Sequence, residues 1–350
     1  MSTTTPLRVY ASRPGQEEIL IRELRKVHPA SAAVVLAEGF VGVTLEPQDE
    51  LVEPCVAFSQ QCFPLAVMVE GASISQLAAA AWGALAPWLP ELQAGFAFHA
   101  GCHDYPGSPV RQARVQRLAD ALLRHSGALK AAMAPSHAVD VPLVQVALVK
   151  PEKALVSVTP VDQRHHLRKV VAPFPMGLAP VNADPHAPSR AHLKLREAML
   201  FLGRTFKKSD SVVDLGASPG GWSFDALKAG ATVFAIDRAP LREDLMGNPR
   251  LRFVKGDAFV WEPKRPVDWM VCDVIAFPQR TLPLLRTWLR NGWCKTFVVS
   301  IKFKGQDDYP RLEEARRMLQ HHAQDFLIRQ VQANKNEVTA MGTARLSDGG

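Results

Sequence analysis

Cysteine is scarce in this chain. There are five in 350 residues, at positions 55, 62, 102, 272 and 294, with no C-x-x-C pair and no histidine-rich neighbourhood. That pattern excludes a disulfide framework and offers no zinc site, so a reduced, cytoplasmic setting without bound metal is expected. Long apolar runs are also missing. No stretch approaches the roughly 20 residues of a membrane span. The first 20 residues hold Arg8, Arg13, Glu17 and Glu18 where a secretory leader would have its apolar core. A soluble, unexported protein follows as the expectation. No internal repeat and no low-complexity tract is present, which excludes solenoid architectures.

Acidic charge is in short supply in one half only. Residues 1–165 hold 13 Lys and Arg against 15 Asp and Glu, while residues 166–350 hold 28 against 19. The overall net charge of +7 therefore resides in the C-terminal half. If a polyanion binds, that half should supply much of the phosphate neutralisation.

What is present divides the chain in three. Residues 1–165 mix short strands and helices: strands at Leu7–Ala11, Gly39–Leu45, Leu65–Glu70 and Gly95–His99, and helices at Gln16–Val27 and Ile74–Leu85. A single long helix is predicted over Val110–Met133, entered from the turn Pro106-Gly107-Ser108-Pro109, and a hairpin over Leu143–Val149 and Ala154–Thr159. The β-α-β start fits a small ferredoxin-like module. Residues 166–190 carry Pro173, Pro175, Pro180, Pro185 and Pro188, too many for helix or central strand, and read as a surface linker.

Residues 191–350 alternate. A helix at Ala191–Leu202 precedes strands at Ser211–Leu215, Thr232–Ile236, Leu251–Lys255, Trp269–Cys272 and Thr296–Ile301. Helices are predicted at Gly221–Lys228, Leu282–Asn291 and Arg311–His322, and late strands at Ile328–Ala333 and Val338–Ala340. Such alternation implies a doubly wound, mainly parallel sheet, with ligands at the carboxyl ends of its strands.

At the first of those ends stands Asp214-Leu215-Gly216-Ala217-Ser218-Pro219-Gly220-Gly221-Trp222. Gly216 permits a sharp turn, Gly220 and Gly221 let a ligand approach the backbone, and the following helix start can hold a carboxylate. Ser218 and Pro219 break the G-x-G-x-x-G pattern, and Pro219 removes an amide donor, which argues against a dinucleotide. Asp237 ends the next strand and can take both ribose hydroxyls of an adenosine. Asp257 and Asp273 follow at the third and fourth strand ends. Asp257 suits the adenine amino group. The order glycine turn, Asp237, Asp257, Asp273 points to an adenosine-containing donor, S-adenosylmethionine.

With Ser189-Arg190-Ala191-His192-Leu193-Lys194-Leu195 ahead of it, the Asp214–Trp222 run resembles the FtsJ-type ribose 2′-O-methyltransferases. The stretches Ala187–Arg190, Trp269–Asp273 and Asn291–Cys294 carry the same likeness, which is strong over about 160 residues and looser before them. Within that family it resembles the THUMP-containing bacterial branch that methylates a cytidine ribose of 23S ribosomal RNA. The resemblance implies a Rossmann-like methyltransferase domain over 191–350, preceded by an α+β region (ferredoxin-like plus THUMP) over 1–165 that binds RNA. It also implies S-adenosylmethionine as cofactor, held by Ser189, Gly216, Ser218, Pro219, Gly220, Gly221, Trp222, Asp237, Asp257 and Asp273. The family's catalytic set Lys-Asp-Lys-Glu falls on Lys194, Asp273, Lys302 and Glu337, with Lys304 a rival for Lys302. A role in ribosome biogenesis on free RNA or an assembly intermediate follows, with a monomer expected and neither metal nor membrane.

The chemistry asks for such a set. A ribose hydroxyl is a poor nucleophile until its proton is being removed, and displacement at a methyl group demands alignment. A lysine accepts that proton only when its pKa, about 10.4 in model peptides, is depressed; a second cation such as Lys194 and partial burial work in that direction, while Asp273 alone would work against it. Lys302 is assigned the base, Lys194 tunes it or holds the hydroxyl, and Asp273 and Glu337 orient the lysines. Arg111, Arg114 and Arg117 on the predicted 110–133 helix, with Arg168 and Lys169, are the RNA-contact candidates. Cys102-His103-Asp104 reads as a loop. Two alternatives stand beside this reading: an RNA base methyltransferase and a non-catalytic donor-binding RNA chaperone. Against the first, Asp273-Val274-Ile275-Ala276 lacks the [DN]-P-P-[YF] form of amino-directed enzymes, and Cys272 should face away from Asp273.

Overall fold

Strand β1 (Leu7–Ala11) is buried on both faces, and that double burial organises the first part of the chain. Tyr10 packs with Leu20 and Leu24 of the helix Glu17–Val27, whereas Val9 and Ala11 pack with Phe40, Phe63 and Leu155. The computed structural model describes residues 7–50, 53–103, 108, 110–305 and 309–345, and the chain falls into two compact units, up to Ala179 and from Pro180. In the N-terminal unit, β1 is joined by β2 (Ala32–Ala37), β3 (Phe40–Thr44) and β4 (Gln61–Phe63) in the antiparallel order β2-β3-β1-β4. A β-α-β-β-α-β chain gives this order. Among the described residues the second helical connection holds the short helix Pro47–Glu50.

A second four-stranded sheet in the same unit runs β5 (Val67–Glu70), β8 (Lys153–Thr159), β7 (Leu143–Lys150), β6 (Ala97–Cys102). Helices Ile74–Leu85 and Gln112–Leu123 cover it through Leu77, Leu85, Leu118 and Leu122 against Val144 and Val156. The long helix expected over 110–133 is two. It stops at Leu123, and Ser126 starts a second short helix, Gly127–Ala131, its Oγ accepting from the Leu129 amide at 3.2 Å. A serine competes for backbone donors, and Gly127 adds flexibility after it, so continuity is lost there. Asp104 and Pro106, Gly107 and Pro109 of the expected turn lie outside the described residues.

The segment read as a linker is packed over its first half. Leu167, Val170 and Val171 are buried with Tyr10 and Leu20, and Arg164 is buried while donating to the carbonyls of Ala138 and Val141. The division between units falls within that segment, after Ala179.

The C-terminal unit is one seven-stranded sheet. Its strands are β9 (Ser211–Leu215), β10 (Thr232–Asp237), β11 (Leu251–Lys255), β12 (Val267–Cys272), β13 (Cys294–Lys302), β14 (Ala323–Arg329) and β15 (Glu337–Ala344). The order is β11-β10-β9-β12-β13-β15-β14. The first five are mutually parallel, and β15 inserts antiparallel between β13 and β14. The run reverses direction between β9 and β12, the switch point where a doubly wound sheet opens a crevice at its strand ends. β14 corrects the late-strand expectation: it occupies Ala323–Arg329, directly after the helix Arg311–His322, and Val331 begins a turn closed by its amide on Asn334 Oδ1 at 2.9 Å.

An ionic cluster ties this unit's first segment to its first two helices. Arg196, on His192–Leu202, donates from Nη2 to Asp225 Oδ1 at 2.6 Å and to Asp184 at 3.4 Å, and Lys228 reaches Asp184 at 2.6 Å. Asp225 is buried, which pushes its carboxyl up, and the Arg196 fork opposes that push. Arg196→Ala should therefore cost about 2 kcal/mol, below the usual figure for a broken buried pair because Arg196 is partly solvated. Arg196→Lys should cost roughly half as much, since a point charge cannot reproduce the fork. Urea unfolding followed by tryptophan fluorescence checks both, and equal midpoints for wild type and Arg196→Ala would contradict them.

Candidate active site

The turn after β9 is shaped by what packs against it. Gly216 has φ +77°, and a Cβ there would lie 2.8 Å from Val274 Cα in the loop after β12. The glycine thus lets the two loops at the switch point touch. Gly220 has φ +110°, and its missing Cβ would strike Leu245 at 2.6 Å. At Gly221 the obstacle would be Ser189 Oγ, at 2.5 Å. Sequence reasoning assigned Gly220 and Gly221 to close ligand approach; the sides their Cβ atoms would occupy face Leu245 and Ser189. Ser189 is thereby held against the helix Gly221–Lys228, and Trp222 Nε1 donates to the Ala191 carbonyl at 2.7 Å. These contacts dock the segment that carries Lys194.

The turn opens on a cleft of about 550 Å³ lined by Ser189, Ser218, Asp237, Asp257, Asp273 and Lys302, among others. Asp237 accepts from the Ser218 amide and the Ala239 amide, both at 3.0 Å. Two backbone donors fix the carboxylate, and each oxygen keeps acceptor capacity for a hydroxyl. Asp257 accepts from the Phe259 amide at 2.9 Å and from Arg238 Nη2 at 2.6 Å, which together hold its carboxyl below the ordinary range. Arg238, Phe259 and Arg280, which sequence reasoning missed, also line the cleft, and the Arg280 guanidinium lies 3.8 Å from the Phe259 ring centroid. Phe259 could have been suspected from its place two residues after Asp257. Nothing in the sequence signals Arg280.

Four charged side chains meet at the other end. Lys194 Nζ lies 2.7 Å from Glu337 Oε1 and 3.1 and 3.2 Å from the two Asp273 oxygens. Lys302 Nζ lies 3.0 Å from Asp273 Oδ1 and donates to the Asp273 carbonyl at 2.6 Å. The set reads Glu337–Lys194–Asp273–Lys302, alternating in sign. Each member comes from a different element: the first turn of His192–Leu202, the end of β12, the end of β13 and the start of β15. The antiparallel register makes Lys302 and Glu337 direct partners. Lys304 is exposed, outside this set. Cys272, next to Asp273, is fully buried, which pushes its thiol up to about 12 and makes it a poor nucleophile.

The basic candidates of the N-terminal unit are not equivalent. Arg111 and Arg117 are exposed. Arg114 donates from Nε and Nη2 to the Pro151 carbonyl at 3.0 and 2.8 Å, bracing the β7–β8 turn. Arg168 and Lys169 share Glu53, at 3.4 and 3.5 Å. His103 reaches the Gly39 carbonyl at 3.2 Å and packs on Phe40, consistent with a structural role.

Residues 187–295 match the FtsJ-like methyltransferases. That stretch lies within the C-terminal unit. Over 191 residues the chain is 35% identical to the ribosomal RNA large subunit methyltransferase M of Azoarcus sp. (strain BH72), covering 51% of this chain and 52% of that protein. Its namesake from Pseudomonas putida (strain W619) is 40% identical over 167 residues, 46% of each. The chain thus spans about half the length of the curated relatives it matches. Among solved structures, TrmN from Thermus thermophilus aligns over 97% of this chain at 17% identity with a TM-score of 0.33. The matched stretch holds both the glycine turn and two members of the charged set, Lys194 and Asp273; Lys302 and Glu337 lie beyond it.

Beneath the turn, Asp214 is fully buried and accepts from Ser223 Oγ at 2.7 Å. Burial raises its carboxyl to about 7, against the lowering effect of that hydrogen bond. The folded value exceeds the ordinary one near 3.9. Ionising Asp214 therefore opposes folding: the penalty is absent below about pH 4, grows up to about pH 7 and is full above it. Asp214→Asn abolishes this titration. The melting temperature of Asp214→Asn relative to wild type should rise between about pH 5 and pH 8, by the equivalent of roughly 1–4 kcal/mol. A pH-independent difference in thermal denaturation would contradict this assignment.

Proposed function

We propose that this chain transfers a methyl group from S-adenosylmethionine to the 2′-hydroxyl of a ribose in RNA, a cytidine of 23S ribosomal RNA, with Lys302 as general base. One observation carries the reading: the alternating set Glu337–Lys194–Asp273–Lys302 meets the cleft at the glycine turn through Asp273 and Lys302. The names of the relatives supply the ribosomal substrate class.

The cleft fits the donor in size and in chemistry. Asp237, locked by two amides, is the acceptor for the donor's ribose hydroxyls, and Asp257 with Phe259 serves the adenine end. Ser189, Gly216, Ser218, Pro219, Gly221 and Trp222 line the cleft and form the wall on the methionine side, with Gly220 behind them against Leu245. When bound, S-adenosylmethionine supplies an electrophilic methyl group. Everything else falls to the chain. The acceptor hydroxyl must lie against Lys302 Nζ, where its proton can leave as the oxygen attacks. The ammonium so formed has two acceptors in place, the Asp273 carbonyl and Asp273 Oδ1. Because both are preorganised, that charge develops without reorganisation. Lys194 keeps Asp273 and Glu337 apart yet fixed, each carboxylate pulling on the same ammonium. Glu337 holds Lys194, so it acts on the reaction through a neighbour.

For the N-terminal unit we propose RNA gripping in the manner of a ferredoxin-like plus THUMP region, with Arg111, Arg114, Arg117, Arg168 and Lys169 as the basic contacts; of these Arg111, Arg117 and Arg168 are exposed. Recognition of structured RNA works largely through shape and phosphate contacts. The working unit is proposed as a cytoplasmic monomer, without metal, acting during ribosome biogenesis.

The decisive experiment is transfer of a tritiated methyl group to ribosomal RNA, followed by mapping of alkali-resistant linkages. Ribose methylation blocks alkaline cleavage, base methylation does not, and a non-catalytic binder yields no product. Lys302→Ala should lose about 10²–10⁴-fold in rate, the usual range for a general base, while equilibrium dialysis still detects donor binding. Wild-type transfer by Lys302→Ala would remove the lysine from the mechanism, and label in the base fraction would replace the reading by base methylation.

A further inference from the structure

Large apolar side chains in water are unusual next to a set of buried charges, and the loop following Asp273 has two. Ile275 is 93% exposed and Phe277 is 50% exposed. They leave the same strand end that supplies Asp273, and Ile275 lines the cleft together with Asp273 and Lys302. Neither side chain belongs to the apolar cluster around Leu195 and Trp222.

The loop that presents them is held stiffly. The Ala276 amide donates to the Val274 carbonyl at 3.0 Å, a three-residue turn with Ile275 at its tip. Val274 is pinned from the other side by its close approach to Gly216. Phe277 precedes the helix Pro278–Arg290, and its carbonyl accepts from the amides of Arg280 and Thr281 at 3.0 and 3.2 Å and from Thr281 Oγ1 at 3.3 Å. A β-branched residue at a tight tip has little rotamer freedom to lose on contact. An aromatic ring on an anchored backbone is a stacking surface that is already in place. Exposed apolar surface held this rigidly beside a polar site marks a contact with a ligand.

Covalent geometry limits what that ligand can be. On the function proposed above, the acceptor 2′-oxygen lies at Lys302 Nζ, and Lys302 is bonded to Asp273, two residues before Ile275. In a nucleotide the base is attached to the carbon next to the one bearing the 2′-oxygen. Whatever holds the base must therefore stand within one side chain's reach of the charged set. Ile275 and Phe277 are the exposed apolar groups of the loop that leaves it, and a nucleobase face is flat and apolar.

We propose that Ile275 and Phe277 are positioning residues that clamp the base of the acceptor nucleotide, so that its ribose hydroxyl is presented to Lys302. This rests on the ribose-methylation reading. The clamp reads a π-face and therefore selects an unstacked, unpaired base without reading its identity.

The test uses the full chain and two synthetic RNAs spanning the methylated position: one intact, the other with the base of the acceptor nucleotide removed to leave an abasic ribose. For the doubly substituted Ile275→Ala, Phe277→Ala chain, kcat/KM on intact RNA should fall about ten-fold or more, in line with the loss of one base–aromatic contact. Donor binding by equilibrium dialysis should be unchanged for Phe277→Ala alone, whose side chain does not line the cleft. Wild type should lose a comparable factor on the abasic RNA, and the double variant should lose little more when given that RNA. Phe277→Tyr, which keeps the ring, should retain most of the wild-type rate. Equal losses for the variant on both RNAs would mean that the two side chains do not hold the base, and so would an unaffected variant. Absence of ribose methylation by wild type would instead sink the reading on which the clamp rests.

Discussion

Lys194 sits between two carboxylates that the chain brings from opposite directions, and the geometry of the C-terminal unit converges on that ammonium. Asp273 reaches it from the end of a parallel strand, Glu337 from the start of the antiparallel one. Without the cation, two partly buried carboxylates would face each other in a poorly solvated pocket, a costly arrangement. The lysine is itself placed by unrelated means. Its helix is docked through the Trp222 indole on the Ala191 carbonyl and through the Arg196 fork on Asp225. An electrostatic bridge, a buried indole and an ion-pair cluster thus form one mechanical chain from the outer helices to the cleft.

Two distinct demands coexist at the switch point. One side of the cleft is built from backbone: amides that fix Asp237, glycines that let loops interlock, a buried Asp214 beneath. The other is built from side chains of alternating sign. The glycines serve the second as much as the first. Gly216 lets the loop carrying Asp273 approach the loop carrying Ser218, so the separation between the two halves of the chemistry is set by a missing Cβ.

Much of this was legible in the chain before any coordinates. Strand Ser211–Leu215 and helices Ile74–Leu85 and Arg311–His322 have the boundaries expected from periodicity, because each has a clear apolar face and a marked end. Lys194, Asp273, Lys302 and Glu337 were picked out by resemblance, and they do come together. That Lys302 and Glu337 are register partners was not legible, since antiparallel insertion of a late strand between two others leaves no local mark. Strand β2 was missed for a physical reason: Ala-Ala-Val-Val-Leu-Ala has no alternation and is largely exposed, so its pairing with β3 alone defines it. The break in the 110–133 helix was missed because apolar spacing continues across it while Ser126 diverts the backbone.

Strand β15 has a consequence for how the protein matures. It is the last strand among the described residues, yet it lies inside the sheet, between β13 and β14. A nascent chain that has emerged only as far as β13 already contains the glycine turn, Asp237 and Asp257, but not Glu337. The glycine-turn cleft and the charged set are therefore finished at different moments of synthesis. Until the final strand slides into its slot, Lys194 has one carboxylate instead of two and β13 has an open edge.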